Sequence, residues 1–331
     1  MATRKIKFSI LDQSIVRKGG TARQAIEETI ETVQLAEKLG YHRFWVSEHH
    51  NSTMIAGSAP EILLVKLGDV TSRIRIGSGG IMLPNHSAFK VAENFRLLET
   101  LFPGRIDLGM GRAPGGDRIS ATLLNPSNRF SEEDYLQQLE HLQAFFTDQA
   151  GTSHGPLYAV PQSATIPQQW ILSSSGGSSV IAARFGMGLA VAKFINGQAG
   201  REVVQTYRDR FQPSEAFPEP HAFVAVQVLC ADTPEKAAEL RRMADYVILQ
   251  FEKGNFEPLK NYEEIAAYEF TAADLERIHY NKGRIVSGTK DQVKQQLLQI
   301  AEEFDVEEIM ASCLTFSKAD RVRSFELLAE M

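Results

Sequence analysis

No apolar run in this chain comes near the roughly 20 uninterrupted residues that a membrane-spanning helix requires. Cysteine is almost as scarce. The two present, Cys230 and Cys313, each sit inside an apolar strand-like stretch, which excludes a disulfide framework and predicts two buried small hydrophobes. A basic excess is missing too: 35 Lys+Arg against 41 Asp+Glu leave a formal net charge of -6, which excludes a general nucleic-acid-binding surface. The opening MATRKIKFSILD carries no apolar signal core and runs straight into a strand pattern. Repeats of solenoid length and low-complexity linkers are also lacking. These absences predict a cytoplasmic protein with no membrane or nucleic-acid partner, folded as a single domain over 1–331.

What is present is an alternation. Short apolar runs suited to buried strands are predicted at 7–11, 43–48, 74–83, 106–110, 170–173, 189–192, 223–230 and 308–312. Segments of 3.6-residue apolar period follow them at 22–39, 60–70, 88–101, 131–147, 178–185, 199–211, 233–251 and 319–330. Eight strand–helix units predict an α/β fold, a (β/α)8 TIM barrel with insertions after strands four and seven. Such barrels take about 250 residues, and the surplus is placed at 113–130, 149–168 and 250–284, where the pattern turns polar, glycine-rich or irregular. A doubly wound sheet fits less well, because no GxGxxG opens a helix after the first strand.

In a barrel the strands' carboxyl ends form one rim, and four loops there carry chemistry. Strand two ends in SEHHN (47–51). His49 and His50 are adjacent on a strand and point to opposite faces, so they do not form a shared metal site, and no metal is expected. The stretch is either a polar strand end or part of an active site in which a histidine moves protons near neutral pH. Strand three carries Gly77, Gly79 and Gly80. Glycine weakens a strand, so these mark either a bulge with tight packing or bare backbone approached by a flat ring. Strand four ends in GMGRAPGGD (109–117), where Arg112 on a glycine loop suits an anion or a structural ion pair. Strand five runs into SSSGGSS (173–179) and then a helix, which suits a phosphate or ordinary N-capping. Lys193, at the end of strand six, either lines the same mouth or is solvated. An imidazole, a carboxylate, bare backbone, an arginine and a phosphate cradle on one rim suit a phosphorylated planar cofactor such as FMN better than a metal or a polymer.

With YHRFWVSEHHN, IGSGGIMLPNH, AENFRLLETLFPGRIDLGMGRAPGGD, SSSGGSSVIAARFG and VSGTKDQVKQQL, the chain resembles the bacterial luciferase-like flavin-dependent monooxygenases over nearly its whole length. It is most similar to the single-component, alkanal monooxygenase-like branch. The resemblance implies reduced FMN supplied by a separate NAD(P)H:flavin reductase, oxygenation of a small organic substrate with O2, and a homodimer formed through outer helices. It places a non-proline cis peptide at Gly79–Gly80, against which the flavin ring packs, and the catalytic histidine at His49 beside Glu48. The flavin phosphate falls to Arg112, to the hydroxyls of Ser175 and Ser178, and to the backbone of Gly176 and Gly177. Ser174 stands in the same loop where luciferase has an acidic residue. Gly111 replaces luciferase's reactive cysteine, and Lys193 and Phe194 replace a histidine common among relatives. Two alternatives stay open: a deazaflavin-dependent hydride-transfer enzyme, with Arg112, Arg118 and Arg129 toward its acidic tail, and a non-catalytic flavin-binding protein.

Overall fold

The computed structural model describes residues 5–331. Its strands, in chain order, are β1 (Lys7–Asp12), β2 (Arg43–Val46), β3 (Arg75–Met82), β4 (Ile106–Gly111), a small hairpin of β5 (Gly151–Thr152) and β6 (Gly155–Pro156), β7 (Gln168–Ser173), β8 (Gly188–Ala192), β9 (Ala222–Ala231), β10 (Ile285–Thr289) and β11 (Glu308–Ser312). Eight of them close a parallel ring in the order β1-β2-β3-β4-β7-β8-β9-β11 and back to β1. This is the TIM barrel that the strand–helix alternation predicts.

The helices are α1 (Ala22–Leu39), α2 (Pro60–Asp69), α3 (Ala88–Leu101), α4 (Arg118–Leu124), α5 (Glu132–Phe146), α6 (Gly177–Arg184), α7 (Glu202–Arg210), α8 (Pro234–Glu252), α9 (Tyr262–Ala266), α10 (Ala272–Asn281), α11 (Lys290–Glu303) and α12 (Lys318–Ala329). Local chemistry sets several of their ends. Thr21 and Gln24 form a reciprocal capping box at the start of α1, and Gly40 ends that helix in the left-handed conformation. Ser131 caps α5 by accepting from the Asp134 N–H, and three acidic residues in that first turn complement the helix dipole.

One strand changes its partner along one edge. Along β9, Ala222 to Ala225 pair with β8, whereas Gln227 to Ala231 pair with β10, so the strand leaves the barrel halfway along its length. Residues 285–303, to which the sequence pattern assigns no element, form β10 and α11. β10 is five residues of IVSGT with no clean alternation, so its pairing is not visible locally. In the 113–130 segment stands α4, and in 250–284 stand α9 and α10.

Side chains alternate along each barrel strand between the helix layer and the interior. The interior holds Leu11, Trp45, Trp170, Phe223, Ala225 and Met310. Trp45 meets Trp170 edge-on at 5.9 Å and Phe223 at 5.2 Å, contacts worth about 0.5–1.5 kcal/mol each beyond area burial. At the amino end of the barrel Arg43 is buried beneath these rings. Its guanidinium donates to Glu308 Oε1 at 2.7 Å and to Asp107 Oδ2 at 2.7 Å, and lies 4.5 Å from the Trp170 ring centroid. Asp107 also accepts from Trp45 Nε1 at 2.9 Å and from Arg75 Nη2 at 2.6 Å. Burial raises the Glu308 carboxyl, but the charge and bond of Arg43, the His221 bond and the His42 charge hold it far below its ordinary range.

Both cysteines are free and buried, as expected for small hydrophobes. Burial pushes the Cys230 thiol up to about 12 and that of Cys313 up to about 11. Among the described residues no helix is long and apolar enough to cross a membrane.

Candidate active site

β2 ends at Val46, and the next residues turn across the carboxyl rim. Glu48 is buried there, and its carboxylate is fully engaged. Oε1 is bonded to His50 Nε2 at 2.7 Å and His86 Nε2 at 2.9 Å, and accepts more weakly from Asn85 Nδ2 at 3.3 Å. Oε2 accepts from the Met82 N–H at 2.9 Å. Burial raises the Glu48 carboxyl, but the His86 bond and charge, the His50 bond and the Met82 N–H outweigh it and leave the group below its ordinary value. His86 moves the other way. Burial lowers it, yet the bond and charge of Glu48 leave it above the ordinary histidine value.

His49 is not a partner of this carboxylate in any hydrogen bond, although the two are adjacent in sequence. Its backbone N–H donates to Gly57 O at 2.9 Å. Burial is the main influence on its ring and holds its pKa below the ordinary value, so the imidazole is neutral at pH 7. Sequence reasoning assigned no role to His86 or Asn85. The signal was a histidine two residues after the proline in LPNH, directly following an apolar strand, where a polar cluster faces the rim.

Gly79 and Gly80 lie in a bulge of β3, where the pairing with β4 slips between Gly79 and Ile81. The peptide joining them is cis, at the position the resemblance gives. Packing alone requires glycine here. A Cβ on Gly79 would lie 2.8 Å from the Trp45 ring, and one on Gly80 would lie 2.7 Å from Gly109 O. Of the two readings open for these glycines, the bulge with tight packing is the one this geometry contains.

β4 and β7 are neighbours, with Gly109 opposite Trp170 and Met110 opposite Ile171, so the loops that follow them adjoin. In the first, Arg112 Nη1 donates to Glu132 Oε2 at 2.6 Å, and both side chains are well exposed. Arg112, Arg118 and Arg129 line one cleft of about 380 Å³ together with Glu132. The Tyr135 hydroxyl is buried near Arg112 and has no hydrogen-bond partner among the described residues.

In the second loop the serines do not cap α6. The N-cap is Gly176, left-handed and with no side-chain cap bond. Ser173 Oγ accepts from the Gly176 N–H at 3.2 Å, Ser179 Oγ donates back to Gly176 O at 2.5 Å, and the Ser174 carbonyl accepts from Asn196 Nδ2 at 2.8 Å. Ser175 is exposed and Ser178 buried. A Cβ placed on Gly177 would meet nothing within 4 Å. The helix start is therefore open, with first-turn N–H groups that no side chain caps, which is the arrangement that receives an anion. The residues present fit a phosphorylated cofactor.

Lys193 is neither solvated nor in the mouth. Its ammonium donates to Gly197 O at 3.1 Å and Ala199 O at 3.0 Å, 5.1 Å from the ring centroid of Phe304 in the helix-side core. Burial lowers its pKa. It clamps its own loop.

The family model described as luciferase-like monooxygenase matches residues 6–308. The uncharacterized protein YwcH of Bacillus subtilis is 46% identical over 98% of both chains. The N-acetyl-S-alkylcysteine monooxygenase of the same organism is 35% identical over 98% of both. The crystal structure of apo-MsnO8 superimposes with a TM-score of 0.92 at 34% identity, covering 98% of each chain. More distant structures share the fold alone. They include the oxygenating constituent of 3,6-diketocamphane monooxygenase in complex with FMN (TM-score 0.72, 16% identity, 98% of this chain and 97% of that one). Another is an F420-dependent secondary alcohol dehydrogenase (TM-score 0.67, 13% identity, 97% of each).

Proposed function

The chain belongs to the luciferase-like monooxygenase family, and from that premise we propose that it is an FMN-dependent monooxygenase acting on a small organic substrate. The observation that carries the cofactor assignment is the uncapped start of α6, which follows the strand next to the one that leads into Arg112. Gly177, Ser174, Ser175 and Ser178 offer backbone N–H groups and hydroxyls to a phosphate, Gly176 offers its N–H once it releases Ser173 Oγ, and Arg112 offers its guanidinium once it exchanges Glu132 for the ligand. Bound there in reduced form, delivered by a separate NAD(P)H:flavin reductase, FMN would supply the two electrons for a reaction in which one atom of O2 goes to the substrate and the other leaves as water.

The protein's own part is positioning, exclusion of water and proton control. Gly79 and Gly80 keep the β3 bulge thin where the ring would lie. Leu11, Trp45 and Met310 form a dry floor below the mouth. His49, held neutral by burial, is the group able to take or return a proton. Glu48 is a positioning residue: His50, His86 and Met82 occupy it, and it ties the end of β2 to the loop after β3. The exposed Ile62 and Val65 on α2 and Leu97 and Leu101 on α3 give the outer helices apolar surface suited to a second copy of the chain, which supports the homodimer reading.

The test compares FMN with riboflavin by quenching of flavin fluorescence. FMN binds at least tenfold more tightly, and Arg112→Ala removes that preference; equal affinity for both flavins would defeat the phosphate assignment. Turnover is checked by incorporation of labelled O2 into N-acetyl-S-alkylcysteine probes with FMN and a reductase, and His49→Ala lowers it. The three-arginine cleft favours one further reading, a deazaflavin with a longer polyanionic tail, and tighter binding of that cofactor than of FMN would establish it.

A further inference from the structure

A second cavity at the carboxyl end of the barrel is used by none of the groups above. It measures about 460 Å³ and opens between α8, the 253–260 loop and the loop that follows β2. Thr53 Oγ1 donates to Phe256 O at 3.3 Å, and Leu259 exchanges backbone bonds with Val16 and Lys18, so the cavity is seated on the loops after β1 and β2, the second of which also carries Glu48. Its size is that of a small-molecule site. Met54, Val247 and Leu259 give it apolar walls. Tyr246 and Tyr268 give it aromatic ones and meet edge-on with centroids 5.0 Å apart.

Its polar groups converge on one point. Lys260 Nζ donates to the Tyr246 hydroxyl at 3.2 Å. That hydroxyl accepts, so its own proton is free to donate elsewhere. Tyr246 is only 7% exposed, which leaves the cavity as the place where a partner can stand. Lys260 also feels the charge of Glu264, and among the described residues it is otherwise in ion-pair contact with Glu257 at 3.2 Å, a carboxylate three residues away that is 69% exposed. Such a surface pair is worth little and exchanges readily. Lys253, the other ammonium of the cavity, is tied at 2.7 Å to Asp274, whose side chain is 6% exposed, and is not available in the same way. One ammonium and one phenol, side by side at the edge of an apolar box, match the two oxygens of a carboxylate.

We propose that this cavity is the substrate subsite of the oxygenation proposed above, on which the assignment as substrate rests, and that it takes an apolar carboxylate. The aryl or alkyl chain packs on Met54, Val247, Leu259 and the tyrosine pair. The carboxylate displaces Glu257 from Lys260 and accepts from Lys260 Nζ and Tyr246 Oη.

The experiment titrates 3-phenylpropionate and its neutral amide, 3-phenylpropanamide, into the flavin-free protein by calorimetry, with FMN binding measured separately. The acid binds at least about tenfold more tightly than the amide, the scale of one hydrogen bond to a charged group. Lys260→Gln removes the preference, and Lys253→Gln keeps it. Glu257→Gln strengthens acid binding severalfold, because it removes the internal competitor; a weakened folded state does not produce that gain. Equal affinity for acid and amide, or no gain in Glu257→Gln, overturns the inference while FMN binding stands. A protein that binds the acid and not FMN overturns the flavin reading and the substrate role with it.

Discussion

Two buried carboxylate clusters stand at opposite ends of the same barrel, both reached from β2, and they differ in their bases. At the amino end Arg43 and Arg75 surround Asp107, and Arg43 reaches Glu308 as well. At the carboxyl end His50 and His86 share Glu48. An arginine keeps its charge at every pH a protein meets, so the centre of the floor is a fixed ion pair, with His221 at its margin 3.7 Å from Glu308 Oε2. Histidine changes charge near neutrality, so the rim holds a similar carboxylate in a setting whose proton count can change. The partner decides which cluster is scaffold and which can take part in chemistry.

The sharpest way to break this contrast is at the floor. Arg43→Met leaves Glu308 without its principal base and Asp107 with only Arg75 and Trp45, and is expected to cost about 3–5 kcal/mol; urea unfolding would show it. A loss below 1 kcal/mol would mean that the floor is not held by charge. At the rim, Glu48→Gln keeps the shape and removes the anion. The expected cost is about 1–3 kcal/mol, and the NMR titration of His86 drops toward the ordinary histidine value. An unmoved His86 would show that Glu48 does not set its charge.

A third prediction separates the ends by pH. His86 has a raised folded value, so its contribution is fully present below the ordinary, unfolded value and is lost as pH rises through the raised one. The stability difference between wild type and His86→Asn is therefore larger at pH 6 than at pH 9. Over the same range the floor's contribution stays flat, because the depressed Glu308 loses its advantage only in strong acid. A pH-independent difference for His86→Asn would erase the distinction. The smallest effect is expected at the exposed pair of Arg112 with Glu132. Arg112→Ala changes unfolding free energy by less than about 1 kcal/mol, against its large effect on FMN affinity. A major loss of stability there would make Arg112 structural.

Much of this was legible in the chain. The eight barrel strands and their helices follow from apolar period, and α1, α3 and β11 stand at 22–39, 88–101 and 308–312, as the pattern predicts. The cis peptide follows from resemblance. What was not legible depends on contacts distant in sequence. Glu48 and His49 are neighbours in the chain, but a carboxylate bonds what the fold brings to it, and the fold brings His86 from the end of β3. Lys193 looked like a rim residue because it follows a strand, yet its own loop curls back and supplies two carbonyls. β10 exists only because β9 runs on past the barrel and offers a free edge.

That overrun of β9 bears on how such a protein can diversify. The strand from Ala222 to Ala231 is at once a stave of the barrel and the edge on which β10 pairs. A graft exchanging α8 to β10 with a relative would have to preserve the pairing of β10 with Gln227 to Ala231 of that stave, so the segment is not a freely exchangeable cassette. Variation is left to stretches that no stave shares, above all the 253–260 loop lining the carboxylate cavity. New substrates would be acquired there by point changes and small insertions, with the barrel and its flavin seat inherited intact.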